Sequence, residues 1–261
     1  MKSAIHVDPE SEEEDFVRGF DLREIDASPP TFWTRKWWAR IDAVFDIVAR
    51  LTPKGGRILD VACANGNVTT ILGERGFRCV GLDLRHGFLT YAAKKDEFRR
   101  ASWVVGNALE PPFQLSTFDT VIMGEVLEHV ARPDSLIKAG LQLVKPGGAV
   151  VCTTPNGACF RNSNLPSYTV ASKDPEDLLA RQFGPAGEDH LFALRPGELL
   201  DLVPENARAT LQFVVSGLWN RGIAPLARFG GPSRAVEWLS TRAAWKEKLC
   251  DTLVLVALRR S

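Results

Sequence analysis

Residues 58–67 read Ile58-Leu-Asp-Val-Ala-Cys-Ala-Asn-Gly-Asn67, an apolar run that ends in an acid and then passes into a turn of small residues opening a helix. Small side chains at such a turn let the backbone approach a ligand, and the helix start offers it unpaired N–H groups. Seventeen residues after Gly66, a second apolar run, Cys79-Val-Gly-Leu-Asp83, also ends in a carboxylate. That carboxylate can accept hydrogen bonds from both hydroxyls of a ribose, so the two strand ends read as one nucleoside site.

Outward from this stretch, short apolar runs alternate with helical periodicity. Arg57–Ala62, Cys79–Asp83, Ser102–Val105, Thr117–Met123 and Ala149–Thr154 are predicted strands, and Asn67–Arg75, Gly87–Phe98 and Pro133–Val144 predicted helices. Strand-then-helix repetition with nearly continuous apolar strands predicts an α/β fold: a doubly wound, mostly parallel sheet with helices on both faces and ligands at the carboxyl ends of the strands. Upstream, Trp37, Trp38, Ile41, Val44, Phe45 and Val48 recur at three- and four-residue intervals, one face of a helix that Thr52-Pro-Lys-Gly-Gly56 stops. Residues 1–30 are polar and acidic, contain Pro9, Pro29 and Pro30, and show helical patterning only around Glu12 to Phe20. They read as an acidic tail or flexible cover ahead of a single domain over 31–261.

Downstream, Pro155 to Asp189 is rich in Pro, Asn, Ser and Gly and holds one short helical segment at Pro175–Gln182. It is too long for a plain connection and predicts a substrate-side insertion at about 155–190. A helix at Arg195–Val203, a strand at Leu211–Ser216, a helix at Ser233–Leu249 and a strand at Asp251–Leu258 complete a seven-stranded sheet, with an antiparallel edge at its C-terminal end.

Composition excludes several classes. With 45% hydrophobic and 25% charged residues in 261, the chain is neither disordered nor membrane-spanning. Its 32 basic and 32 acidic side chains cancel, so total charge draws it to no nucleic-acid backbone, and a small or uncharged substrate fits better. Five cysteines, an odd number without C-x-x-C spacing, predict free thiols in a reducing compartment. Together with an N-terminus lacking an apolar signal segment, they place the protein in the cytoplasm, with peripheral membrane contact left open.

At these residues the chain resembles the class I S-adenosylmethionine-dependent methyltransferases. Their first motif is acid-x-Gly-x-Gly-x-Gly; Asp60 matches the acid and Gly66 the last glycine, whereas Ala62 and Ala64 stand at the first two glycine positions. An alanine held at positive φ there costs about 1–2 kcal/mol. The resemblance continues through Asp83 as the ribose acid with Leu84 after it, and through Gly106-Asn107-Ala108, where the family places an acid and a small residue near adenine. It runs on through Phe118 to Val130 and Leu143-Val-Lys-Pro-Gly-Gly148, covering about residues 57–155. It implies S-adenosylmethionine as cofactor, held by Asp60, Ala62, Asn65, Gly66, Asp83, Leu84, Asn107, Ala108 and Glu125. A nicotinamide-binding Rossmann enzyme would show G-x-G-x-x-G in the first turn, and this turn does not.

Methyl transfer from a sulfonium is an in-line displacement that requires a positioned acceptor, exclusion of water and removal of the acceptor's proton. Glu125, Glu128 and His129 follow the fourth strand at spacings that predict one face of a helix or helical turn. The run Glu125-Val-Leu-Glu-His129 resembles the ubiquinone-pathway O-methyltransferases and the small-RNA 2′-O-methyltransferases. In the latter, two acids and two histidines hold a divalent metal, which here implies Glu125, Glu128, His129 and His190. Two carboxylates and two imidazoles suit Zn²⁺, Mn²⁺ or Fe²⁺. Three readings stay open: that metal site, His129 as general base or acceptor-positioning residue beside Glu125, and a structural pair favoured by the helix dipole. For a phenol-like hydroxyl, a histidine base faces about 5 kcal/mol of pKa mismatch, and for an alkyl or sugar hydroxyl roughly twice that.

Trp33, Arg35, Trp37, Trp38 and Arg40 serve either as core and snorkelling surface or as a cover that brings Arg35 or Arg40 to the methionine carboxylate. A similar mixture of Trp219, Arg221, Arg228, Arg234, Trp238, Arg242 and Trp245 suits a lipid-like or aromatic acceptor. The sequence thus reads as an O-methyltransferase of a small-molecule acceptor, lipid-like, aromatic or sugar-containing. The alternatives are N-methylation of a small amine and a catalytically silent cofactor-fold protein.

Overall fold

The computed structural model describes residues 7–25, 32–162, 164–182, 190–214 and 246–260. Its centre is a seven-stranded sheet in the order β3-β2-β1-β4-β5-β7-β6. The strands are β1 (Arg57–Val61), β2 (Arg78–Asp83), β3 (Ala101–Val105), β4 (Phe118–Gly124), β5 (Val144–Pro155), β6 (Ala207–Val214) and β7 (Thr252–Arg259). The first five pair in parallel. β7 runs antiparallel to both β5 and β6, so the antiparallel pair stands at one side of the sheet with β6 outermost.

Side chains alternate between two buried faces. Leu59 and Val61 of β1, Val121 and Met123 of β4, Val150 and Cys152 of β5, and Leu253 and Leu255 of β7 share one core with Leu136 and Ile137 of a helix at Pro133–Leu143. Ile58, Ile122, Val151, Val254 and Val256 share the other, under the Trp37, Ile41, Val44, Phe45 and Val48 stripe of a helix at Phe32–Leu51. A strand covered on both faces must be apolar at successive positions, which is why these strands read as continuous apolar runs.

Numbered along the chain, the helices are α1 (Glu12–Glu24), α2 (Phe32–Leu51), α3 (Asn67–Glu74), α4 (His86–Lys95), α5 (Pro133–Leu143), α6 (Tyr168–Ala171), α7 (Pro175–Gln182), α8 (Pro196–Asp201) and α9 (Lys246–Leu249). α1 runs a turn beyond the helical pattern visible in the sequence and packs on α4 and α2. β5 begins at Val144, ahead of the predicted Ala149, because Val144 pairs with Phe118 across a register irregularity that Lys145-Pro-Gly-Gly148 accommodates.

The 155–190 stretch carries a 3₁₀ turn at Phe160–Asn162, then α6 and α7. Of the predicted helix Ser233–Leu249 only Lys246–Leu249 is described; its remainder and the aromatic and arginine mixture from Trp219 to Trp245 lie outside the described residues, as do Glu188 and Asp189. All five cysteines are buried free thiols. Among the described residues, no helix is long and apolar enough to cross a membrane.

Candidate functional site

The first apolar run ends as anticipated in a tight bend between β1 and α3. Ala62 and Ala64 both sit at positive φ, 56° and 46°, and Gly66 at 70°. The first two conformations are ones an alanine adopts at about 1–2 kcal/mol each, so the glycine-to-alanine departures are accommodated as backbone strain. At Gly66 no substitution is open, because a Cβ there would collide with the Trp103 ring and the Ala92 methyl.

Asp83, at the end of β2, faces this bend. Its Oδ2 accepts from the Ala64 N–H and its Oδ1 from the Arg85 N–H, each at 3.0 Å. Burial pushes its carboxyl above the usual range, against the pull of those N–H groups. Asp60 is 4% exposed and accepts from Thr69 Oγ1 at 2.6 Å. Burial raises it to about 7, with the Asp83 charge adding to the rise and the Thr69 hydroxyl opposing it.

The other residues anticipated for the cofactor line the same edge of the sheet. Leu84 is exposed directly after Asp83. Asn107 and Ala108 follow β3, with Asn107 Oδ1 accepting from the Leu109 N–H at 3.0 Å. Asn65 is buried beside the bend and Glu125 follows β4. All nine positions therefore stand at the carboxyl ends of β3, β2, β1 and β4, neighbours in that order.

At the end of β4 the structure departs from the helical spacing. Glu125 takes a left-handed conformation, φ 51°, with its N–H donated to the Thr153 carbonyl, and only Leu127–His129 forms a 3₁₀ turn. Glu125 therefore leaves the helical face that would have carried all three, though its charge still acts on Glu128. Its Oε2 lies 2.9 Å from Arg40 Nη1. Burial opposes its ionisation, but Arg40 and Lys36 outweigh that and hold the carboxyl below the usual range.

Glu128 is wholly buried, accepts from Thr154 Oγ1 at 3.0 Å through Oε2, and has Oε1 at 3.9 Å from His190 Nε2. Burial, then the Glu125 charge, pushes its carboxyl well above the usual range. The His129 and His190 rings meet edge to face with centroids 4.9 Å apart. One ligand atom from each of Glu128, His129 and His190 lies within 4.8 Å of the others. Of the four anticipated metal ligands, three thus converge and Glu125 stands with Arg40 instead. Arg40, one of two arginines anticipated near the methionine carboxylate, is committed to that ion pair, while the side chains of Trp33 and Arg35 lie outside what the structure describes.

Sequence reasoning did not single out Lys36, whose Nζ lies 3.9 Å from buried Asp251, or the α1 acids Asp21 and Glu24, which contact Asn65 and Asn67. The available signal was a stripe: Glu10, Glu14, Val17, Asp21 and Glu24 fall at three- and four-residue intervals, with Lys94-Lys95 to oppose them.

Residues 37–202 match the family model of a methyltransferase domain. A ubiquinone biosynthesis O-methyltransferase of Aliivibrio fischeri (strain MJ11) is 34% identical over 161 residues, 59% of this chain and 64% of the relative, so the match spans less than two thirds of that relative's length. Among solved structures, an S-adenosylmethionine-dependent methyltransferase from Mesorhizobium loti superposes with TM-score 0.58 at 17% identity, covering 84% of this chain and 100% of its own. The [4+2]-cyclase SpnF superposes equally well, TM-score 0.58 at 18% identity over 97% and 98% of the two chains. At such identity these superpositions speak for the fold alone.

Proposed function

The chain belongs to the S-adenosylmethionine-dependent methyltransferases, and we propose that it transfers the methyl group of S-adenosylmethionine to a hydroxyl of a small-molecule acceptor. The observation that carries this reading is the pair of imidazoles in edge-to-face contact, His129 and His190, beside buried Glu128, at the end of the strand next to the one that bears the donor bend. In this reading the bend from Ala62 to Gly66 approaches the adenosyl and methionine portions of the donor, and Asp83 accepts from the ribose hydroxyls. Asp83 can take further hydrogen bonds beyond those it accepts from the Ala64 and Arg85 N–H groups, since a carboxylate offers about four lone-pair sites.

His129 takes the proton of the acceptor hydroxyl at a ring nitrogen, and the His190 ring packs edge to face against it. Arg40 neutralises Glu125 at the rim of the same site. For a phenol-like hydroxyl the mismatch with an imidazole is about 5 kcal/mol, within reach of a preorganised site, whereas an alkyl hydroxyl roughly doubles it. That arithmetic favours an aromatic hydroxyl, and the likeness to a ubiquinone biosynthesis O-methyltransferase supports the same choice. Incubation with labelled S-adenosylmethionine and paired panels of phenols and amines tests the reading. Label in a phenol ether supports it, and label confined to amines overturns it in favour of N-methylation.

A second reading, a divalent metal in this site, is favoured by Glu128 Oε1, a buried carboxylate oxygen without a hydrogen-bond partner among the described residues. Glu128, His129 and His190 would hold the ion, a donor set suited to Zn²⁺, Mn²⁺ or Fe²⁺. It would supply stabilisation of an alkoxide, extending the acceptor range toward less acidic hydroxyls. Elemental analysis of the purified protein separates the readings: stoichiometric metal lost on Glu128→Ala supports the second, and a metal-free active enzyme removes it.

A further inference from the structure

The acidic helix α1 is held down by a small apolar cluster and by a set of polar contacts. Its apolar contribution is Val17 and part of Phe20 against Phe88 and Tyr91 of α4, with the half-exposed Phe16 ring stacked on Phe88, while Leu22 is exposed. Its acids do the rest. Glu13 accepts from the Gly87 N–H at 2.9 Å and from Arg85 Nε at 3.0 Å, at the start of α4. Glu10 and Glu14 pair with Lys94 at 2.8 and 3.0 Å.

Asp21 is the point where this helix meets the donor bend. Buried at 5% exposure, its carboxylate accepts from four side chains: Asn65 Nδ2 and Asn67 Nδ2 at 2.9 Å each, Tyr91 Oη at 2.7 Å and Lys95 Nζ at 2.8 Å. Lys95 also donates to Asn67 Oδ1 at 2.6 Å, and Glu24 accepts from both asparagine amides at 3.3 and 3.1 Å. Ala64, one of the two strained alanines, packs against the Val17 cluster. The bend therefore owes the placement of two side chains to a helix more than forty residues upstream.

We propose that α1 is a clasp on the donor bend, with Asp21 as a positioning residue that ties Asn65 and Asn67 to α4, so that α1 docking and donor binding strengthen each other. This rests on the donor reading given above. Asp21 acts through the asparagines: it holds Asn65 and Asn67, and with them the bend, in one arrangement, so that an ordered bend meets the donor without first having to be arranged. Because coupling between two sites is reciprocal, the donor must in turn hold α1 in place.

The test is hydrogen–deuterium exchange and calorimetry on the full chain with S-adenosylhomocysteine as probe. In the wild type, saturation with the probe slows exchange of the α1 amides about tenfold, and Asp21→Asn weakens probe affinity by about the same factor. Glu14→Gln, which loosens α1 at Lys94 away from the bend, weakens affinity several-fold and accelerates α1 exchange; it serves where Asp21→Asn does not fold. A wild type that binds the probe with unaltered α1 exchange overturns the clasp alone, as does a folded variant with faster α1 exchange and undiminished affinity. A wild type with no affinity for the probe overturns the donor reading and the clasp with it.

Discussion

The two ends of this site are built on opposite principles. At the ends of β1 and β2 the polar side chains of the bend find partners within the protein: Asp83 in backbone N–H groups, Asn65 and Asn67 in Asp21. What remains there is backbone strain at Ala62 and Ala64. At the end of β4 it is the side chains that are left wanting: Glu125 Oε1 and Glu128 Oε1 are buried with no hydrogen-bond partner among the described residues. A buried acceptor left without a donor costs about 1–3 kcal/mol. The contrast separates a bend whose polar side chains are already paired from a site that reaches full satisfaction only when something is bound or protonated.

The largest expected effect lies at the unsatisfied end. His129→Ala should lower turnover by roughly 10²–10⁴-fold, the usual contribution of a positioned base, with donor affinity changed far less. Single-turnover kinetics beside donor titration checks this, and an equal loss in both would move His129 from the acceptor to the donor side.

Next comes the charge of Asp60. Its folded pKa of about 7 exceeds the ordinary 3.8, so between those values the folded state binds more protons than the unfolded one, and stability falls as pH rises. The burial penalty is absent below the ordinary value and fully felt above about 7, reaching roughly 4 kcal/mol. Asp60→Asn keeps an acceptor for Thr69 and carries no charge. Without donor, it should melt on the order of 5–10 °C above wild type at pH 8 and close to it at pH 4. Thermal scans at both values read this out, and a pH-independent difference would mean that packing, not charge, dominates at Asp60.

The smallest expected effect probes the strain. Ala62→Gly and Ala64→Gly relieve a positive φ but enlarge the unfolded ensemble, leaving a net gain of about 1 kcal/mol or less at each position. Denaturant midpoints of the single and double variants measure it. Destabilisation would show that the alanine methyls contribute more by packing than their backbone costs.

How much of this was legible follows from where each signal resides. The parallel core was readable because burial on two faces writes itself as continuous apolar runs, as in Val121-Ile-Met123 or Val150-Val-Cys152. The tight bend after β1 was readable because a run of small residues between an acid and a helix start permits such a turn. Glu125 was misplaced on a helical face because its left-handed backbone is imposed by the Thr153 carbonyl and Arg40, partners outside its own segment. Residues 1–30 were read as a tail or cover because an acidic stripe looks the same whether it faces water or lysines. The partners of Asp21 lie more than forty residues away in sequence, and only the fold brings them together.

Titration calorimetry with S-adenosylhomocysteine on the wild type and on Asp83→Ala weighs the central claim most directly. Losing one or two charge-assisted hydrogen bonds of about 1.5–3 kcal/mol each should weaken binding by at least tenfold. A wild type that releases no heat with the probe, or an alanine variant that binds it as tightly as the wild type, would contradict the claim that the bend and Asp83 together hold the methyl donor.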